Sequence, residues 1–174
     1  MAFFDVLLLI IIVGFVLFGL WFGLIHTLGS LVGTVLGAIL ASIYYEPISS
    51  WLISSTGWSE NFVKVVVFVL LFFIINRLIG FLFYLIEKFT GIVTWLPFVK
   101  SFNRLLGAVL GLVEGLIAIG LVLYFIERFP FSETITEKIA DSVIAPYAQA
   151  VANVVVPLIP QAAQFIEQAT EVVK

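Results

Sequence analysis

Chemistry in this chain would have to come from very few side chains. Its one histidine, His26, stands four residues before Ser30, so both would share a helix face. A serine nucleophile needs a base, an acid that orients that base, and oxyanion donors. No acidic residue lies near His26 in the sequence, so the expected role of the pair is a polar cap, and no enzyme is expected. There is no cysteine, which removes thiol nucleophiles, disulfides and Cys-based metal sites. One histidine and no cysteine argue against a metal site, and no phosphate-binding glycine loop with its lysine occurs. No cofactor is expected.

The more informative polar residues interrupt apolar runs. Glu114 sits between Val113 and Gly115, and Asn76-Arg77 breaks a second run. An ionised carboxylate in hydrocarbon is costly unless it is paired, hydrated or protonated. Asn76 and Arg77 are its expected partners. If the two segments are antiparallel, Arg77 and Glu114 each lie about ten residues from a segment end, at similar depth. Three readings stay open for Glu114: a structural ion pair, a protonated carboxyl hydrogen-bonded to a neighbouring helix, or a proton- or ion-sensitive group in a pathway.

The elements that must position these residues are membrane spans. Of 174 residues, 63% are hydrophobic and 11% charged, against roughly 25% charged in an average soluble domain. The net charge is -3 and the basic residues are scattered, which argues against nucleic-acid binding. A span takes about 20 apolar residues. Four candidates run over 6–25, 28–44, 62–86 and 103–125. Glu46-Pro47 is expected to end the second, leaving 48–61 as a polar loop or interfacial segment with Trp51 and Trp58 at headgroup level. A second loop is expected over 89–102. The N-terminus lacks a positive n-region and reads as a retained span. The predicted fold class is therefore all-α: a membrane-embedded bundle of about four transmembrane helices (1–130) with a C-terminal amphipathic helical tail (131–174).

In that tail, Thr134-Ile-Thr-Glu137 matches a capping box, and Ile135, Ile139, Val143, Tyr147 and Val151 recur every four residues. Pro157 and Pro160 should break this helix, and a last one follows with Ala162, Phe165, Ile166, Ala169 and Val173 on one side. Two glycine seams stand out, Gly29-Gly33-Gly37 and Gly107-Gly111-Gly115, each with a spacing of four. Missing Cβ atoms on one face let helix backbones approach closely. The expected use is packing of spans two and four within the chain. The alternative is a homo-oligomer around a pore. Lys88, Lys100 and Arg104 flank the loop between spans three and four, with Arg77 in reach, whereas Lys64 alone borders the preceding loop. The positive-inside rule then puts the former in the cytoplasm and both termini outside.

Several of these features together resemble the colicin V production protein family of bacterial inner-membrane proteins. They are Asp5 before the first span, Gly19-Leu-Trp-Phe-Gly23-Leu24-Ile25, the small-residue second span, and Asn103-Arg104-Leu105-Leu106-Gly107-Ala108 leading to Gly111 and Gly115. The chain departs from that pattern at Glu114, a position often basic in relatives. The resemblance implies a non-enzymatic membrane protein that supports colicin V-type toxin production or export and envelope maintenance. Its expected partners are the lipid bilayer, further copies of itself, or an envelope or secretion protein. A small oligomeric channel or transporter is the alternative.

Overall fold

A computed structural model describes residues 3–90 and 97–160, and all regular structure in them is helical. Four helices are long and apolar enough to cross a membrane: α1 (Phe3–Phe22), α2 (Leu24–Thr56), α3 (Glu60–Thr90) and α4 (Pro97–Arg128). Two short ones follow, α5 (Glu133–Ala140) and α6 (Ala145–Ala152). The expected loop at 89–102 shrinks, because α3 continues to Thr90 and α4 begins at Pro97. Gly91 and Trp95, and the last predicted helix at 162–173, lie outside the described residues.

Lipid offers the backbone no hydrogen bonds, so apolar runs of this length close their own bonds as helices despite their β-branched residues. One residue, Gly23, separates α1 from α2, at a φ of 85° that a side chain would oppose.

Pro47 does not end α2, contrary to the expectation, and the segment after it is not a loop. The helix continues to Thr56 and closes on Gly57, whose N–H donates to the Ile53 carbonyl at 2.9 Å from a left-handed conformation. The serines that suggested a loop are satisfied within the helix. Ser49 Oγ donates to the Tyr45 carbonyl at 2.6 Å, Ser50 Oγ to Glu46 at 2.9 Å, and Ser55 Oγ to Trp51 at 2.9 Å. At 33 residues α2 is about 50 Å long, well beyond ~30 Å of hydrocarbon.

The bundle is built from two helix pairs. α1 packs along α4 and α3 along α2, while α2 and α4 meet in the middle and are the most buried spans. α1 and α3 share no extended packing. One core cluster centres on Phe68, whose ring stacks on Phe125 with centroids 3.8 Å apart. A second joins Leu8 and Ile12 of α1 to Ile119 and Leu123 of α4.

The tail folds onto this bundle, but not as the predicted helix. α5 starts at Glu133 after an extended Ser132, two residues ahead of the anticipated cap at Thr134, and no side-chain cap bond forms there. The chain then breaks at 141–144, so the four-residue recurrence does not define one face. Ile139 is buried, while Val143 and Tyr147 are exposed. Ala145 and Ala148 of α6 join the α1–α4 cluster, and Ala152 and Val155 join the cluster of α2, α3 and α4. The tail thus lies across the end of the bundle where α1 begins and α4 ends.

Candidate functional site

The polar groups of the spans converge on Glu114, which is 1% exposed. Ser30 Oγ donates to its Oε1 at 2.5 Å and Thr34 Oγ1 to the same oxygen at 3.3 Å. These two hydroxyls are four residues apart and so share one face of α2. Asn76 of α3 donates from Nδ2 to Thr34 Oγ1 at 3.0 Å and is a further polar neighbour of the carboxyl. The network ties α2, α3 and α4 together near mid-span.

Arg77, the other expected partner, makes no ion pair with Glu114. Its guanidinium lies over the Phe18 ring, 5.6 Å from the centroid. Asn76 and Arg77 are neighbours on a helix, so their side chains leave it about 100° apart. Only one can face α2. Among the described residues the one ion pair is Lys64–Glu60 at 2.6 Å, on α3 itself.

Glu114, Arg77, His26 and Ser30 nevertheless line one cavity of about 490 Å³, set between α1 and α3 and walled largely by phenylalanines. His26 is surrounded by Phe18, Phe22 and Tyr84 rings, with centroids 4.6–6.2 Å away. Ser30 gives its proton to Glu114, so no Ser–His pair forms. Neither Glu114 Oε2 nor His26 Nδ1 has a hydrogen-bond partner among the described residues.

The glycine seams lie where helices approach most closely, but not between α2 and α4. The α2 seam meets α3: a Cβ on Gly33 would strike Asn76, and one on Gly37 would press on the Phe72 carbonyl. The missing Cβ of Gly33 is what lets Asn76 reach Thr34. The α4 seam meets α1: a Cβ on Gly107 would run into the Gly19 carbonyl, and one on Gly111 into that of Phe15. Asn103 sits at the same junction, its Oδ1 accepting from the Leu24 N–H at 3.2 Å and so capping α2. Arg104 is exposed beside it. Thus Gly19, Gly23, Asn103 and Gly107, distant in sequence, form one contact.

Three residues of these networks escaped sequence reasoning. Ser30 was read only beside His26, and Thr34, which shares its helix face, was not singled out. Asp5, 1% exposed, accepts from Ser142 Oγ at 2.6 Å and from the Val143 and Ile144 N–H groups at 3.1 and 3.3 Å. Ser142 Oγ in turn accepts from the Ala145 N–H at 3.0 Å. Asp5 therefore ties the tail to the start of α1, and no local pattern announces a contact across 137 residues.

Removing the Glu114 acceptor has a measurable consequence. Glu114→Ala strands the Ser30 and Thr34 hydroxyls and should lower stability by about 2 kcal/mol. Glu114→Gln keeps an oxygen for them and should cost less than half of that. Unfolding in mixed micelles reads both. Equal losses would mean that these hydrogen bonds do not join α2 to α4.

Four apolar spans around a buried polar network define a multi-pass membrane protein. The family model for the colicin V production protein matches residues 4–153, and the chain belongs to that family. No curated protein and no solved structure matches it.

Proposed function

We propose that the chain is a non-enzymatic protein of a bacterial inner membrane. It supports colicin V-type toxin production or export and envelope maintenance through contact with an envelope or secretion protein. The observation that carries this reading is the docked tail. Held by Asp5, it forms a fixed shelf across one end of the bundle and turns Val143, Tyr147 and Val154 outward, 60%, 68% and 74% exposed. A rigid apolar surface at a membrane boundary is suited to a partner or to the interface itself. The non-enzymatic reading draws support from Ser30 and His26, which are committed to Glu114 and to aromatic rings. Lys88, Lys100 and Arg104 near the opposite end favour placing the shelf and both termini on the outer face.

The test uses the outward residues alone. V143S/Y147S/V154S in the full chain should cut cross-linking to envelope proteins and toxin export several-fold, with the unfolding midpoint unchanged. Undiminished cross-linking and export would overturn the reading. The channel alternative has one observation in its favour, the cavity that holds Arg77 and Glu114. Its oligomer would have to form on faces other than the glycine seams, which are occupied within the chain. Ion flux from liposomes, with an oligomeric mass in native lipid, would favour it over the scaffold.

A further inference from the structure

Four charged residues near the tail end of the bundle fall in one layer. Lys64 Nζ of α3 lies over the Phe129 ring, 5.2 Å from its centroid. Tyr45, next to Glu46 on α2, packs edge-on against Phe125 and close to Phe129. Glu46, Lys64, Glu127 and Arg128 therefore stand at about one height. The distance from Lys64 to Glu87 along α3, and from Arg104 to Glu127 along α4, is ~34 Å in each case, close to ~30 Å of hydrocarbon. Between those limits the two helices carry no charged residue except Arg77 and Glu114. The layer thus marks one edge of the hydrocarbon.

α6 lies inside that edge. A Cβ on Gly120 would strike the Ala148 carbonyl and the Ala152 side chain, so α6 crosses α4 there. Gly120 is about 10 Å below Glu127 along the helix. The register with α1 gives the same depth. Gly107 meets Gly19 and Gly111 meets Phe15, which sets Gly120 level with Val6, an exposed residue of a span. The segment suits such a place. No charged residue occurs between Asp141 and Glu167. Gln149 reaches back to Glu127 at 2.9 Å, which brings its amide toward the charged layer. Lipid requires every backbone donor to be satisfied. From Val143 to Ile159 the N–H groups donate to Asp5, to Ser142 Oγ or to carbonyls three or four residues back, and Pro146 and Pro157 have none to satisfy. α5 differs, with Glu133, Glu137 and Lys138 all exposed.

We propose that the segment from Ser142 to Pro160 is immersed in lipid, a re-entrant piece lodged about 10 Å beneath the headgroups, where Val143, Tyr147, Val154 and Leu158 face acyl chains. α5 stays above it at the headgroups, and Asp5 pins the point where the chain dips in. Apolar side chains this large are left uncovered because hydrocarbon, not water, surrounds them. The immersion stands on its own. Joined to the partner reading above, on which this further step rests, it narrows the partner: a protein that reaches these side chains must displace lipid, and so brings a membrane span of its own.

The chain has no cysteine, so single-cysteine variants of the full chain each place one nitroxide label. Measured in liposomes of phosphatidylethanolamine and phosphatidylglycerol with no partner present, the result does not depend on the partner reading. Collisions with oxygen, which concentrates in hydrocarbon, are compared with collisions with a neutral nickel chelate, which stays in water. Leu70→Cys is the lipid standard, 56% exposed and ~9 Å below Lys64 along α3. Glu137→Cys on α5 is the water standard. Tyr147→Cys and Val154→Cys should match Leu70→Cys, with an oxygen-to-nickel ratio several-fold above that of Glu137→Cys. If either substitution prevents folding, Leu158→Cys, at a position 42% exposed, is read in its place. Nickel contact equal to that of Glu137→Cys at any of these sites would overturn the proposal. Labels shielded from both reagents would overturn it too, and would assign the surface to a second copy of the chain.

Discussion

Asp5→Ala should free the tail from the bundle and destabilise the protein by about 3 kcal/mol or more, since hydrogen bonds to a charged group contribute roughly 1.5–3 kcal/mol each. Three donors converge on this one carboxylate oxygen, two of them the orphan N–H groups of a chain turning into α6. Without it the Ser142 hydroxyl loses its acceptor, and the break at 141–144 loses its fixed point. The alanines of α6 then have no reason to stay against Gly120, where a Cβ would strike the Ala148 carbonyl. Asp5→Asn keeps an oxygen acceptor without the charge and should fall between alanine and wild type. Trypsin reads the effect directly, because Lys138 lies on α5 and should become cleavable in Asp5→Ala. Equal protection of Lys138 in wild type and variant would show that tail docking does not depend on Asp5.

Gly107→Val should part α1 from α4. Its Cβ would collide with the Gly19 carbonyl and with the Gly23 backbone, and backbone cannot rotate away as a side chain can. Overpacking of this kind costs typically ~1–3 kcal/mol and occasionally more, and a backbone-to-backbone clash belongs at the upper end. The damage should extend to the α1–α2 turn, because Asn103 caps Leu24 one helical turn before Gly107. Gly14→Val is the control: it lies on the same helix as Gly19, but open space faces it. Its effect should stay within about 0.5 kcal/mol. Unfolding in mixed micelles, done side by side, separates the two. Comparable losses would mean that the substitution acts through helix flexibility rather than through the α1–α4 contact.

The long apolar runs of α1, α3 and α4 were legible because lipid permits little else. Their ends were less so. Pro47 and the serines of 48–56 carry strong loop signals in water, yet the hydroxyls return to helix carbonyls and the helix passes through. The tail failed for the opposite reason. Its four-residue recurrence of apolar side chains suggests one helix, but a tertiary bond from Asp5 to Ser142 favours a break in the middle. Within the polar site, Glu114 and Asn76 could be named from their depth alone. Arg77 was paired with Glu114 by its similar depth, and helix geometry turns it over the Phe18 ring instead.

Composition and the length of its apolar runs by themselves determined that this chain is a helical membrane protein, and the spacing of its glycines marked the faces on which helices would close up. Only the tertiary structure decided which faces meet: α2 with α3, α4 with α1, and a cavity where α1 and α3 stay apart. The reason is physical. In hydrocarbon every apolar face is equally at home, so the hydrophobic pattern that sorts helices in water carries no information about partners. The choice falls to close backbone approach and to a few buried hydrogen bonds, such as Asn76 to Thr34 and Ser142 to Asp5, whose members lie 42 and 137 residues apart.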